Sequence, residues 1–304
     1  MLRNGGGTRN RGLKKPGNKL GIAVFLAPVL ILYVLFFLYP LGFIAVTSFM
    51  TWNGISAPTF AGVTNYLSLA VDGTFRLGVR NNLIWAFASG FIQIPLATLV
   101  ALFLARRPPF WRFLRTVYFL PNVISSVALA MMWTAMYNPA YGLLNGLIKL
   151  FGGVPHNWLG DTSTALTAVI AQSVIYIGYF MIIILAAVTS ISESLYEAAE
   201  IDGASVLQQE LRITLPMIRG TLVTAVTLAM AYGMRHFEAT FLMTGGGPAY
   251  ATTTMGIQLY NKMDAFKYGE ASAIGAVLIF FGTVVIVLIR AFLSKGDPMA
   301  EAEQ

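Results

Sequence analysis

The chain has 304 residues, of which 57% are hydrophobic and only 11% are charged, and its formal net charge is +7. The charged share is less than half of the roughly 25% that is usual for soluble domains, which excludes an ordinary soluble enzyme and indicates a polytopic membrane protein. Cysteine is absent, which excludes disulfides and cysteine-based metal sites, and the two histidines, His156 and His236, are too far apart in sequence to suggest zinc.

The first 19 residues combine glycines and a proline with few apolar side chains, a composition typical of a flexible tail. Its positive charges are Arg3, Arg9, Arg11, Lys14, Lys15 and Lys19. A nucleic-acid-binding arm is one interpretation, but positive charges ahead of a first span are the usual signal for a cytoplasmic terminus. We therefore predict a cytoplasmic tail over 1–19 and no nucleic-acid partner.

Six apolar stretches reach the length of ~20 residues that a bilayer requires. The predicted spans are 20–49, 82–105, 117–138, 165–189, 220–243 and 271–292. The first span and its outer loop form a segment 20–75, the other spans form a core 76–293, and a second tail covers 294–304.

Loops on one side of the predicted spans carry 14 Lys and Arg residues, and loops on the other side carry five. This asymmetry predicts that both termini are cytoplasmic.

The loop over 191–219, between predicted spans four and five, is the most polar segment between two apolar ones, and we call it the polar loop. Ser194 and Glu197 have the spacing of a capping box. Gly203 permits a sharp backbone turn, and Pro216 limits a second helix, so the pattern predicts helix, glycine corner and helix. Two interpretations remain open on the residues alone: a docking site for a soluble partner, or an ordinary connection in which Glu197 only caps a helix.

No Gly-Lys-Ser/Thr phosphate loop occurs, and the glycine-rich stretch Gly245–Pro248 has no lysine. We therefore expect that the chain does not hydrolyse ATP by itself. No Ser/His/acid or paired-carboxylate arrangement stands out, so no catalytic residue and no metal site are predicted, and a membrane-embedded enzyme is disfavoured.

Span five contains an unusual polar group, made up of Arg235, His236 and Glu238. Charged side chains are costly in hydrocarbon and normally face a cavity or a partner. The group could instead be interfacial, because Arg235 lies only about 12 Å along a helix from the outer loop. Arg235 and Glu238 have i, i+3 spacing and could pair with each other.

The polar loop resembles the EAA loop of permease subunits in ATP-binding-cassette importers, in the version typical of carbohydrate uptake. The residues that carry the resemblance are Glu197-Ala-Ala, Gly203 and Ile213-Thr-Leu-Pro216 at fixed offsets. One departure is Glu210, which stands where the family usually has an aromatic residue. The resemblance implies that the loop docks on a cytoplasmic ATPase through Glu197, Ala198, Ala199, Asp202 and Gly203.

What the family resemblance implies for the whole chain is an all-α membrane protein with six transmembrane helices, the type I ABC importer permease fold and cytoplasmic termini. It also implies a second homologous permease, two ATPase subunits that hold ATP and Mg, an extracytoplasmic sugar-binding protein, and a location in the cell membrane of a prokaryote. The implied substrate is a carbohydrate, in first place an oligosaccharide. Glycerol-3-phosphate or a polyol is the alternative, and an ion-coupled secondary transporter a more distant one.

Alignment of span five on maltose permeases places the sugar-contacting face of the family on Tyr232, Gly233 and His236, and the corresponding alignment of span four gives Tyr179. With Ala229, the three residues of span five have the i, i+3, i+4, i+7 spacing of one helix face. Aromatic faces stack on sugar rings and polar edges bond hydroxyls, although ordinary helix packing would also explain two tyrosines. We predict that these residues line the substrate path together with Arg235 and Glu238. If they only pack, the path would lie around Asn122 and Gln172.

Overall fold

The computed structural model describes the backbone of residues 19–293 and the side chains of residues 22–292. Apart from Lys19, the predicted tails over 1–19 and 294–304 lie outside the described residues. Contacts divide the chain into two units, residues 1–44 and residues 45–304. The described residues are helical except for loops and one pair of two-residue strands, in which Met50 of β1 (Met50–Thr51) lies opposite Phe60 of β2 (Thr59–Phe60).

The α-helices before residue 160 are α1 (Lys19–Tyr33), α2 (Tyr39–Thr47), α3 (Thr64–Val71), α4 (Gly73–Ala88), α5 (Ile94–Ala105), α6 (Trp111–Phe119), α7 (Ser126–Met136) and α8 (Leu143–Leu150). Those after it are α9 (Ala165–Val174), α10 (Gly178–Thr189), α11 (Glu193–Ile201), α12 (Val206–Gln209), α13 (Leu215–Met217), α14 (Arg219–Met234), α15 (Glu238–Thr244), α16 (Met255–Asp264) and α17 (Tyr268–Leu293). Short π-helical turns lie at Val34–Leu38, Ser89–Gln93 and Glu210–Thr214, and a 3-10 turn lies at Leu120–Val123.

Among the described residues, four helices are long and apolar enough to cross a membrane, namely Ile22–Thr47, Gly73–Ala105, Ala165–Thr189 and Tyr268–Phe292. Two bent pairs raise the number to as many as six if each pair is one span, Trp111–Val123 with Ser126–Met136 and Val206–Met217 with Arg219–Met234. Each of the predicted spans overlaps one of these helices or bent pairs, but span two begins at Gly73 rather than at residue 82. Asp72 causes the earlier start, because its carboxylate caps α4 by accepting the N–H of Thr74 at 2.8 Å.

Spans three and five differ from the uninterrupted helices that the sequence predicted. The two halves of span three are bent by 100°, beside an extended backbone at Ile124 and after Pro121, which has no N–H to continue a helix. In span five, α14 ends at Met234 and the chain resumes as α15 at Glu238, so the predicted helix over 220–243 is wrong at its outer end. These breaks position side chains that a straight helix would direct elsewhere.

Buried asparagines join the helices of the second unit at the end of α14 that lies away from Arg219. Asn82 is fully buried on α4; its Nδ2 donates to the carbonyl of Met234 at 2.8 Å, and its Oδ1 accepts the N–H of Met255 at 2.8 Å. The neighbouring Asn81 donates to the carbonyls of Ala251 and Thr253. Backbone groups at helix ends that cannot reach water must find such partners. One side chain therefore joins α4 to both α14 and α16.

Replacement of Asn82 by alanine should lower the thermal stability of the purified full-length protein. The change leaves one buried carbonyl and one buried N–H without partners, and each such group costs about 1–3 kcal/mol. The measurement is the unfolding temperature in detergent, with the exposed helical Asn261→Ala as the matched control. If Asn82→Ala unfolds at the same temperature as Asn261→Ala, the proposed role of these two hydrogen bonds is wrong.

Candidate functional site

The polar loop forms two short helices around a glycine corner, as the sequence predicted. Gly203 adopts a left-handed backbone with φ of 79°. Its N–H donates to the carbonyl of Glu200 at 3.0 Å, and the N–H of Ala204 donates to the carbonyl of Ala199 at 2.8 Å. This pair of bonds is a Schellman motif, which satisfies the last carbonyls of α11 and requires the left-handed residue. The local sequence thus explains both the end of α11 and the direction in which the chain leaves it.

The capping box predicted at Ser194 and Glu197 is wrong. Helix α11 begins two residues earlier than a Ser194 cap would give, at Glu193, so Ser194 lies inside its first turn, and the N-cap residue Ser192 makes no capping bond. A capping box is present at the second helix instead, where Ser205 accepts the N–H of Gln208 and the Gln208 side chain accepts the N–H of Ser205. The same physical device therefore starts α12 rather than α11.

The corner of the polar loop presents a mixed surface. Glu197, Ala198, Asp202 and Gly203 are exposed, while Ala199 is half-buried. Apolar side chains beside them are also exposed, Ile201 at 88% of its area. A depression of about 380 Å³ lies at the corner and includes Ala199, Asp202 and Gly203 in its lining. An exposed apolar patch with a polar rim is typical of a protein-binding surface.

A central cavity of about 370 Å³ lies between spans two, three, four and five, a size within the range of roughly 300–1,000 Å³ that is common for ligand pockets. Its lining residues are Trp85, Ser89, Gln93, Phe119, Asn122, Ser173, Tyr176, Tyr179, Phe180, Tyr232, Gly233 and His236. Four of the residues predicted for the substrate path, Tyr179, Tyr232, Gly233 and His236, are thus brought together in one cavity. Tyr179 and Tyr232 each keep about half of their area exposed.

The break in span five between α14 and α15 brings His236 into the cavity. Because α14 ends at Met234, His236 does not continue the helix face of Ala229 and Tyr232, and Ala229 is fully buried in an apolar cluster. The imidazole of His236 instead stacks on the indole of Trp85, with ring centroids 3.5 Å apart. The prediction of a single helix face is therefore wrong for His236, which lies beyond the end of α14 although the cavity includes it, whereas Ala229, Tyr232 and Gly233 all lie within α14.

Gly233 permits the close approach of α14 to α4. A Cβ atom at this position would lie 2.6 Å from Cα of Ala86 and 2.8 Å from the carbonyl carbon of Trp85, both of them backbone atoms. No side chain larger than hydrogen fits there unless one of the helices shifts. Gly233 therefore fixes the spacing of the two helices on either side of the central cavity.

Arg235 and Glu238 do not belong to the lining of the central cavity. Both are exposed, and no ion pair joins them among the described residues. The Arg235 guanidinium lies over the ring of Tyr232, 5.4 Å from its centroid. This contact places a positive charge next to a cavity residue, although Arg235 itself is not part of the lining.

The sequence reasoning missed four polar residues of the cavity lining, Ser89, Gln93, Ser173 and Tyr176, and named Asn122 only as an alternative. Gln93 lies in the π-helical turn of span two, and its Nε2 donates to the carbonyls of Ser173 and Tyr176 at 3.3 and 3.1 Å. Both carbonyls lie at the break in span four between α9 and α10, and that of Ser173 also accepts the N–H of Tyr176 at 3.2 Å. A glutamine and a serine, Ser89, within an apolar span were the signal, since polar residues at membrane depth usually mark a path or a partner. Gln172, the alternative candidate, accepts a bond from Ser173 and does not line the cavity.

Among the described residues, no group of three or more His, Cys, Asp or Glu side chains is close enough together to hold a metal ion. The chemistry available in the cavity is therefore that of aromatic faces, amides, hydroxyls and one imidazole. Such groups bind and orient a ligand.

Known proteins similar to this chain are membrane components of importers. Residues 93–296 match the family described as binding-protein-dependent transport system inner membrane component. The chain is 33% identical over 291 residues to the probable ABC transporter permease protein YurN of Bacillus subtilis, a match that covers 92% of this chain and 98% of that protein. It is 31% identical over 285 residues to the trehalose/maltose transport system permease protein MalF of Thermococcus litoralis, with 92% and 96% covered.

A solved structure shares the fold. It is a bacterial ABC transporter involved in the import of the acidic polysaccharide alginate, which aligns with a TM-score of 0.81 at 22% identity over 91% of this chain and 96% of that chain. The fold predicted from the sequence, an all-α membrane protein with the type I ABC importer permease fold, is confirmed. The chain belongs to the family of inner membrane components of binding-protein-dependent transport systems, and its fold is that of a type I ABC importer permease.

Proposed function

We propose that this permease translocates a neutral carbohydrate, in first place an oligosaccharide, through the central cavity. The observation that carries the proposal is the composition of the lining, which combines Tyr and Trp rings with amides and hydroxyls and contains no Asp, Glu, Lys or Arg. Ring faces stack on the C–H faces of sugars, and polar edges exchange hydrogen bonds with hydroxyl groups. The names of relatives support the same class, among them the trehalose/maltose permease and a multiple sugar-binding transport system permease of Streptococcus mutans, 32% identical over 293 residues.

Transport by this proposal is alternating access powered by partner subunits. Two ATPase subunits hold ATP and Mg and close on nucleotide binding, and the polar loop docks on one of them through Glu197, Ala198, Ala199, Asp202 and Gly203. A second homologous permease completes the path, and an extracytoplasmic binding protein delivers the sugar. Support for the last partner is a related transporter solved with a pentasaccharide-bound periplasmic protein, at a TM-score of 0.80.

The proposed orientation has both termini and the polar loop in the cytoplasm of a prokaryotic cell. Its support is the excess of Lys and Arg residues in the loops on that side, 14 against five. Within the second unit, Arg106 at the end of span two contacts Glu210 of the polar loop, so the arginine-rich loop after span two and the polar loop lie at the same end. An ATPase that uses cytosolic ATP requires this arrangement.

The glycerol-3-phosphate alternative has weaker support. A phosphate would favour a guanidinium in the path. Arg235 is the arginine nearest in sequence to the cavity residues of span five, but it is exposed and lies outside the lining. An ion-coupled transporter would require acidic groups at membrane depth, and the cavity lining has none.

Replacement of Gly203 by valine should abolish sugar uptake while the permease stays in the membrane. A β-branched residue is strained at φ of 79°, although the space around the position is open, so the defect would come from the shape of the loop alone. The matched control is Gly152→Val, because Gly152 has φ of 77° and open surroundings in an outer loop. Uptake of labelled oligosaccharide by cells is the measurement, and normal uptake by Gly203→Val would contradict the docking role.

Replacement of Tyr232 by alanine should weaken substrate-stimulated ATP hydrolysis by the assembled transporter. A stacking contact and a hydrogen bond each contribute on the order of 1 kcal/mol, so the half-saturating sugar concentration should rise by about thirtyfold. Tyr232→Phe should recover the stacking part, and the exposed Tyr141→Ala of an outer loop is the control.

His236 allows a second comparison, between glutamine and leucine. Nε2 of His236 is buried and has no hydrogen-bond partner among the described residues, so packing alone would favour leucine at least as much as glutamine. If the ring hydrogen-bonds the sugar, His236→Gln should retain more transport activity than His236→Leu. Equal activity of both variants at the wild-type level would assign the residue to packing and remove it from the path.

A further inference from the structure

The ion pair between Arg106 and Glu210 joins two parts of the chain that are far apart in sequence. Nε and Nη2 of Arg106 donate to Oε1 of Glu210 at 3.0 and 2.6 Å. The Glu210 side chain is only 14% exposed and the Arg106 side chain is 41% exposed. Oε2 of Glu210 is buried without a partner among the described residues. The negative charge of this carboxylate is therefore compensated by Arg106, through Oε1. A buried carboxylate without its cation is strongly unfavourable.

Arg106 lies at the end of one helix that lines the central cavity, and Glu210 lies before the start of another. Arg106 directly follows the helix Gly73–Ala105, whose middle turns carry Trp85 and Gln93 into the cavity. Glu210 lies in the polar loop. From there the chain continues through the bent pair into α14, which carries Tyr232 and Gly233. The pair also borders a separate cavity of about 220 Å³ between the end of span two and the polar loop.

A second attachment of the same two helices lies at the other end. There Gly233 approaches the backbone of Ala86, and Asn82 donates to the carbonyl of Met234. Helix geometry puts Ala86 and Arg106, 20 residues apart, at about 30 Å along span two. Between these ends, Ala97 and Ala101 of span two and Ala225 of span five belong to one buried apolar cluster, so the two helices form one packed body.

We infer that the Arg106–Glu210 ion pair is a clamp that ties the polar loop to span two, so that the packed spans two and five move together with the loop. The inference rests on the proposed function, because the polar loop has to be the part that the ATPase displaces. Without the pair, displacement of the loop would reach these spans only through the covalent chain, across the 71° bend between Val206–Met217 and α14. Part of the displacement would be lost at this bend, and ATP would be hydrolysed without matching transport. Arg106 and Glu210 are positioning residues in this scheme, since neither lines the central cavity.

The first test measures the clamp without substrate or ATPase. Because the chain has no cysteine, Phe103→Cys on span two and Leu211→Cys in the polar loop can be spin-labelled cleanly, and both positions are exposed. Double electron–electron resonance on the full chain in lipid nanodiscs should give a narrow distance distribution. Arg106→Glu should broaden it, and the double reversal Arg106→Glu/Glu210→Arg should narrow it again. An equally narrow distribution in Arg106→Glu, or no recovery in the double variant, would overturn the inference.

The second test measures the ratio of ATP hydrolysed to sugar transported in the assembled transporter. Arg106→Glu should raise this ratio severalfold and the double reversal should restore it, whereas Arg107→Gln, at the neighbouring arginine, should leave it unchanged.

Glu210→Gln should raise the ratio less than Arg106→Gln does, because it leaves a half-exposed arginine without its partner rather than a buried carboxylate. Lower thermal stability with an unchanged ratio would make the pair structural only and overturn the inference. If the wild-type complex transports no sugar, the proposed function fails while the resonance test still decides on the clamp.

Discussion

The approach of α14 to α4 at Gly233 leaves no room for a side chain, and the central cavity is built around this contact. Trp85 is fixed beside it and stacks on His236, and Asn82 binds the carbonyl at the end of α14. A closer or wider spacing would either close the cavity or separate the rings that line it. The geometry of a site made from side chains on two helices thus depends on one position that has no side chain.

The second constraint is that backbone groups at membrane depth need partners within the protein. Spans three, four and five are all broken or bent. At the breaks, backbone N–H and C=O groups lack the hydrogen-bond partners that a continuous helix would give them. Gln93 binds the carbonyls at the break in span four, and Asn82 serves the end of α14. The breaks and their polar partners surround the cavity, so the groups that stabilise irregular backbone are also neighbours of the proposed substrate path.

The polar loop and the cavity lie at different depths of the protein, and span five connects them covalently. The ion pair of Arg106 with Glu210 adds span two to this connection. The pair joins the loop to span two at a defined geometry, and its strength depends on the burial of the carboxylate.

The sequence by itself determined the membrane class, the six apolar regions, the glycine corner and four residues of the cavity lining, because composition, apolar length and fixed offsets are local properties. It misplaced the capping box, and it could not foresee the bend in span three or the break after Met234. Only the tertiary structure decided that Arg235 and Glu238 lie outside the lining while Gln93, Ser89 and Trp85 lie within it. The physical reason is that a straight helix repeats every 3.6 residues, whereas a broken one directs its side chains according to the helices against which it packs.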